Sequence, residues 1–399
     1  MRPVLSTLMV SALFVGASTL SDAQISLSNF AVFGASGVQA NVGTATGLLG
    51  SNSDLSLGYF ATVPGVFSGG NLTTLGSSTI NGPVITNGGG NFGSFMTVNG
   101  PLDVANNATF SNGPTITGNV TTGGSLTYGI GGTITGTVKA GGNFTQGGLA
   151  TVNGNVHANN NADVEAAING NVTYGNTLTV GVFGAISGSK IKGTVPVTPA
   201  HFAPISVRPA DYFVTGGANV TTGGTLAAPL APGKYGALTL GAFSDLFLKP
   251  GNYYFDSVNL TGSNTIHLLN LAGNNRVRIF VSGNVTIGNF VGERVNENFI
   301  SAANQALASQ VFWETKGTYS SLSDQFGTVF APNGNITFGN FDTIYGALVS
   351  GKQVILPGSN TVNFFGNADL SVPEPGAVSL FISGGLCLAG FLRLRRKQK

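Results

Sequence analysis

From Met96 onward the chain counts in sixes. Residues 96–167 divide without a gap into twelve hexads, opening MTVNGP, LDVANN, ATFSNG, PTITGN and closing ATVNGN, VHANNN, ADVEAA. The third position is mostly apolar (Val98, Val104, Phe110, Ile116, Tyr128, Ile134, Val152, Val164), and the first is mostly apolar or small. Positions five and six are dominated by Gly and Asn. Two inward side chains on alternate residues make a three-residue strand, and Gly or Asn can take the positive φ of a sharp corner. A six-residue unit cannot bury its apolar face alone, so the units must coil and stack, each rung bonded to the rungs above and below. The expected fold class is all-β, a parallel β-solenoid with three hexads in each triangular coil of 18 residues. A second segment supports that number: Leu230-Ala231-Pro232-Gly233-Lys234-Tyr235 returns 18 positions later as Leu248-Lys249-Pro250-Gly251-Asn252-Tyr253. At about 4.8 Å per rung the rod is no longer than about 90 Å.

Composition agrees with this and removes several functions. Of 399 residues 61 are Gly, and only 8% are charged while 42% are hydrophobic; an average soluble domain has about 25% charged residues. The Gly has no three-residue period, which excludes collagen, and the abundance of Val, Ile, Leu and Phe excludes charge-driven disorder. Net charge is +2, but five basic residues crowd the last seven positions. Setting these aside with Arg2, Asp22 and Glu374 leaves eleven basic against thirteen acidic residues, no surface for nucleic acid. Cys387 stands alone in a C-terminal apolar run, so the body has neither a disulfide framework nor a cysteine metal site. His157, His201 and His267 share no metal-ligand spacing, and no metal or cofactor is expected. The acidic pairs Asp163/Glu165 and Glu293/Glu297 are sparse and read as solvated surface charge, so no catalytic residue is assigned.

The ends read as addresses. Arg2, an apolar stretch over residues 4–17 and the small residues Ser21-Asp22-Ala23 form a signal peptide over 1–23, cleaved after Ala23. The hexad solenoid is expected over 24–195. A Pro-rich segment over 196–215 (Pro196, Pro199, Pro204, Pro209) is either a loop that leaves and rejoins one solenoid or a linker between two domains. A continuation follows over 216–368. The register slips near Ile168, where residues 169–173 read as an insertion, and Ala302, Ala303, Ala306, Leu307 and Ala308 predict a flanking helix over 299–310 behind Asn298. Over 372–399, Val372-Pro373-Glu374-Pro375 precedes a 16-residue apolar run (377–392), expected as a transmembrane helix, and then Arg393, Arg395, Arg396, Lys397 and Lys399. This tail resembles the PEP-CTERM sorting signal of Gram-negative bacteria, with Pro373, Glu374 and Pro375 as the short motif. The resemblance implies an exosortase-type membrane peptidase as partner, transient residence in the inner membrane, and delivery to the cell surface or extracellular matrix.

Position two of the hexads points outward and is Thr in eight of twelve. With 18 residues per coil, one face collects Thr97, Thr115, Thr133 and Thr151, and position four beside them collects Asn99, Thr117, Thr135 and Asn153. These eight residues form the candidate binding face, a grid of about 4.8 Å between rungs by about 6.7 Å along each strand. A second face is mixed (Asp103, Thr121, Lys139, His157), and the third is Thr109, Thr127 and Thr145 until Asp163.

Phe30-Ala31-Val32-Phe33-Gly34, Pro250-Gly251-Asn252-Tyr253-Tyr254-Phe255, the strand from Val277 to Asn284, Val311-Phe312-Trp313-Glu314 and the strand from Gly327 to Asn333 carry a further likeness. On these residues the body, over about 30–365, resembles the ice-binding-like adhesive domain, the choice-of-anchor A type of bacterial surface proteins. That resemblance implies a β-solenoid used for adhesion or matrix attachment, with ice binding in some relatives. The expectation is an exported, non-catalytic surface or matrix protein, adhesive or polysaccharide-binding through the Thr/Asn face. Ice binding is the first alternative, and a carbohydrate-active enzyme depending on Asp163 or Glu297 is the second.

Overall fold

A computed structural model describes residues 25–366 except Tyr212, together with Leu370. The signal segment with Ala23, the sorting motif Pro373, Glu374 and Pro375, and the apolar run 377–392 lie outside the described residues. Among the described residues no helix is long and apolar enough to cross a membrane.

The fold is a parallel β-solenoid. One face is a sheet of sixteen parallel strands running from Lys190–Lys192 at one end to Gly233–Lys234 at the other; fifteen rung steps of about 4.8 Å make the rod about 72 Å long. The hexad logic holds residue by residue. All twelve third-position side chains from Val98 to Val164 are buried, including Thr122, Tyr128 and Gln146. Inside the coil Phe92 and Phe110 stack at 4.5 Å, Tyr128 meets Phe110 edge-on at 6.0 Å, and its Oη donates to the Pro114 carbonyl at 3.0 Å. Such stacking in the coil interior is what each added rung contributes, since an isolated rung buries almost nothing.

The glycines and asparagines at the corners work differently from expectation. Gly118 and Gly154 do not adopt positive φ; a Cβ on either would lie 2.2 Å from the carbonyl oxygen of the glycine one rung away. Close backbone stacking therefore selects Gly there. The corner asparagines accept a backbone N–H from the adjacent rung, as Asn107 Oδ1 does from Ser125 (2.7 Å) and Asn119 Oδ1 from Thr137 (2.9 Å). Positive φ recurs at the corner before the threonine strands, where Gly113 and Gly131 share it with Phe95 and Leu149, and it appears at other corners at Gly136, Asn270 and Asn296. The register slip is also reversed: Thr151 pairs with Ala167 and Val156 with Val172, sixteen apart instead of eighteen. That coil is two residues short, and 169–173 is no insertion, since Val172–Tyr174 is a strand of the wall.

The chain enters its own solenoid in the middle. Phe30–Gly34 lies between Leu48–Ser51 on one side and Leu348–Ser350 on the other, and Gly37–Ala45 pairs with both Leu55–Leu57 and Gln353–Asn363. The first part winds outward from this rung to Lys192. The chain then crosses back along the rod, and the second part winds inward from about Val220 to Asn363. Every rung-to-rung pair is parallel, so the two parts make one continuous wall.

The crossing segment, residues 193–217, is a strap along the outside of the sixteen-stranded face. Three asparagines clamp it by the same two hydrogen bonds. Asn52 donates Nδ2–H to the Ile205 carbonyl (2.7 Å) and accepts the Ile205 N–H (2.8 Å); Asn87 treats Phe202 likewise (2.7 and 2.9 Å), and Asn159 treats Val195 likewise (2.9 and 2.9 Å). From Val195 to Ile205 the strap crosses six rungs, about 29 Å, in ten residues, close to the polyproline II rise of about 3.1 Å per residue. Three such residues span two rungs, which is why Phe202 and Ile205 meet asparagines two rungs apart. Between the clamps Pro199, which has no N–H to offer, lies against Gly123 instead. Beneath the strap Phe30, Phe33, Phe67, Ile85 and Phe202 form a second apolar cluster outside the coil. Further along, Arg208 lies over the Phe330 ring (4.4 Å) and pairs with the fully buried Glu314 (2.8 Å), which also accepts the Asp211 N–H. Burial raises the Glu314 pKa, and Arg208 opposes that shift.

The flanking helix is shorter than expected. Asn298–Phe299 is a strand antiparallel to Gly292–Val295, with Arg294 over the Phe299 ring at 4.1 Å, and only Gln305–Gln310 is helical, as a 3-10 turn. The Asn304 side chain accepts the Ser301 N–H and donates to the Phe299 carbonyl, closing the turn before an α-helix could nucleate.

Candidate functional site

The four threonines of the candidate face stand on consecutive rungs: Thr97 pairs with Thr115, Thr115 with Thr133 and Thr133 with Thr151. The column does not start there. Thr97 pairs back to Thr79, Thr79 to Thr62 and Thr62 to Thr44, and Thr44 pairs across the mid-rod junction with Thr361, which pairs with Thr343. Nine threonines therefore form one unbroken ladder drawn from both parts of the chain, and it ends in Ala167 and Ala185. Thr44 and Thr115 are exposed and the others half-buried, while the residue after each ladder threonine from Thr62 to Thr151 is buried in the wall. Eight rung steps of about 4.8 Å make the ladder about 38 Å long.

Position four forms a second column beside it. Asn99 Nδ2 donates to Asn81 Oδ1 (2.8 Å), Thr117 Oγ1 to Asn99 Oδ1 (3.2 Å) and Asn169 Nδ2 to Asn153 Oδ1 (2.8 Å). Thr135 faces Asn153 in register, and both are exposed. These bonds fix the side-chain amides, so the column is rigid before any ligand arrives. Thr44, Thr62, Thr79, Thr343 and Thr361 were not singled out from sequence. The spacings 44, 62, 79, 97 carried the signal, but one 17-residue coil and the break at the chain's entry point interrupt the count of six.

The other two faces differ. On the third face Thr109, Thr127, Thr145 and Asp163 are joined in register by Asn91, Thr73 and Ser56, and beyond the junction by Thr337, Ser320 and Thr286. It too is a hydroxyl and amide surface. Asp103, Thr121, Lys139 and His157 lie in one column, but on the sixteen-stranded face that carries the strap. Burial raises the Asp103 pKa against the Ala200 N–H and the Thr121 hydroxyl, and burial, then Lys139, lowers that of His157.

The acidic groups do not assemble. Glu293, expected as surface charge, points into the coil and is only 7% exposed; burial holds its pKa well above the usual carboxylate value. Its partner in sequence, Glu297, sits outside, bonded to His267 Nδ1 (3.0 Å), whose ring stacks on Phe247. The wall of the solenoid thus separates this pair. Asp163 lies on a different face, eleven rungs from Glu297. Among the described residues no group of three or more His, Cys, Asp or Glu could hold a metal ion.

Residues 256–366 match the model of a family described as a domain of unknown function (DUF7305). No curated protein matches the chain. A crystal structure of an ice binding protein from an Antarctic bacterium of the Flavobacteriaceae is similar at 13% identity, over 84% of this chain and 97% of that one, with a TM-score of 0.25.

Proposed function

We propose that the protein is an exported, non-catalytic surface or matrix protein that attaches to an extended polymer through its threonine ladder. The observation that carries this reading is the ladder itself, nine threonines on consecutive rungs contributed by two sequence-distant parts of the chain. Single hydroxyl contacts are weak. A rigid row of them engages a repeating ligand many times over, and little conformational entropy is lost because the parallel wall is already ordered. Export rests on the signal-like segment ending at Ala23. Sorting rests on Pro373-Glu374-Pro375 with the apolar run and basic cluster behind it, a tail suited to an exosortase-type peptidase and to transient anchorage in the inner membrane of a Gram-negative cell. A glycan array probed with wild type and with Thr115→Lys/Thr133→Lys tests the reading. The double variant places two charged chains on the ladder, and at least tenfold weaker binding is expected; equal binding removes the ladder from the account.

A second reading is ice binding. The same ladder repeats threonine, a side chain with one hydroxyl and one methyl, at a fixed rung spacing on nine consecutive rungs with no charged residue among them. Recrystallisation-inhibition and thermal-hysteresis assays decide it, and inactivity of the purified protein ends this reading.

A further inference from the structure

The corner that precedes the threonine face carries a row of large apolar side chains facing solvent. Phe60, Phe95 and Leu149 in the first part, and Phe243, Phe290 and Phe341 in the second, are 65% to 84% exposed. All six have positive φ, between 58° and 63°. For a bulky residue that region is a steric outlier, and such strain persists where the surrounding structure enforces it and clusters where proteins bind ligands. Nothing in the wall demands bulk there, since Ser77, Ser263, Gly113 and Gly131 take the same conformation at neighbouring corners. Small residues separate the large ones: Ser263 lies between Phe243 and Phe290, and Gly113 and Gly131 lie between Phe95 and Leu149. Phe60 and Phe95 are two rungs apart, with Ser77 between them, and Phe290 and Phe341 are likewise two rungs apart. The Phe95 ring fills the space over Gly113, where a Cβ would lie 2.7 Å from it.

We propose that this ridge is a stacking platform for a neutral polysaccharide chain lying along the rod. The proposal rests on the polymer-binding reading above and names the ligand class. Rings within each part stand about 9.6 Å, two rungs, apart, and the steps from Phe341 to Phe60 and from Phe95 to Leu149 are three rungs, so one linear polymer meets several at once. Two residues on from each of Phe60, Phe95, Leu149 and Phe341 stands a ladder threonine (Thr62, Thr97, Thr151, Thr343). A pyranose offers the matching pair of surfaces, an apolar C–H face for the ring and rim hydroxyls for the threonine. Charge selects a neutral chain. Between residues 55 and 152 the charged side chains are Asp103 and Lys139, both on the strap side, so no cation meets an acidic glycan or a lipid phosphate beside Phe60, Phe95 or Leu149. Beside the second part the following strands carry, outside the coil, one acid, Asp245, and one base, Arg294, which covers the Phe299 ring.

The test uses the full chain and three probes: microcrystalline cellulose with chitin, alginate, and vesicles of phosphatidylcholine with phosphatidylglycerol. Phe60→Ser/Phe95→Ser/Phe290→Ser/Phe341→Ser is the variant, because Ser already occupies this backbone conformation at Ser77 and Ser263. The expected result is wild-type retention on a neutral polymer, at least tenfold weaker retention of the quadruple variant, and a melting temperature no lower than wild type. Equal retention of the quadruple variant overturns the platform, as does a wild type that binds alginate or vesicles but no neutral polymer. Thr115→Lys/Thr133→Lys in parallel separates the two claims. If it alone loses retention, the ladder reading stands and the ridge falls; if the quadruple variant alone loses it, the reverse holds.

Discussion

At the residue scale, the solenoid turns single side chains into columns, and what one residue does is set by the rung above it. Asp342 illustrates the cost of an interior position. Its N–H donates to Asn360 Oδ1 (2.8 Å), while its own Oδ2 is buried without a partner. Burial, then the nearby Asp324, pushes its pKa to about 6 against the Gly339 N–H. The folded chain therefore binds this proton more tightly than the unfolded chain. The stabilisation is complete below about pH 4 and is lost as pH rises through about 6. Melting temperatures at pH 4.5 and 7.5 should show wild type gaining at the lower pH, and Asp342→Asn showing a smaller gain; identical profiles would refute the assignment. Legibility in sequence follows the same rule. Val98 and Phe110 were plain because two inward residues per strand repeat. Glu293 was not, since its partners in the coil belong to rungs reached only after an irregular segment. Residues 283–290 (GNVTIGNF) are nearly copied at 334–341 (GNITFGNF), which pairs Phe290 with Phe341 in the sequence, but Gly90-Asn91-Phe92 has the same local pattern as Gly288-Asn289-Phe290 and buries its ring. Only the phase against the wall distinguishes them.

At the element scale, the strap explains what the Pro-rich composition is for. A segment that must accompany a rod cannot pair with it as a strand, because its direction runs across the strands. Polyproline II solves this with a repeat commensurate with every second rung, and side-chain amides supply the hydrogen bonds that a strand neighbour would have given. Asn87→Ala should leave the Phe202 N–H and carbonyl unpaired under the strap and cost about 1–3 kcal/mol. Limited proteolysis should then cut within residues 193–217 at denaturant concentrations where the wild-type strap is protected, and an unchanged cleavage rate would show that the clamp is dispensable. Sequence alone left loop and linker open because the clamping residues Asn52, Asn87 and Asn159 lie 36 to 153 positions away. The expected helix failed for a local reason: its alanines favour helix, but Asn304 and the Phe299 strand claim the first turn.

At the scale of the whole molecule, the chain is a plain spiral opened at its centre. Gln353–Asn363 completes a coil, and the next wall strand is Phe30–Gly34, from the other end of the sequence. Each outer end is blunted differently. At one, Gly224 and Pro229 form an antiparallel bridge that turns the edge away; at the other, the terminal strand exposes Lys190 and Lys192. Proline, turns and lysine are the usual defences of an unpaired strand edge. The closed junction also extends the threonine ladder from the seven rungs of the first part to nine, a length neither part could build alone. The most direct measurement is therefore an electron–electron distance across it. Spin labels at Thr343→Cys and Thr97→Cys, with Cys387→Ala removing the one native thiol, sit five rungs apart on the same column. A narrow distribution centred near about 24 Å is expected; a broad one, or a mean well beyond it, would show that the two parts do not share a wall and would dissolve the ladder.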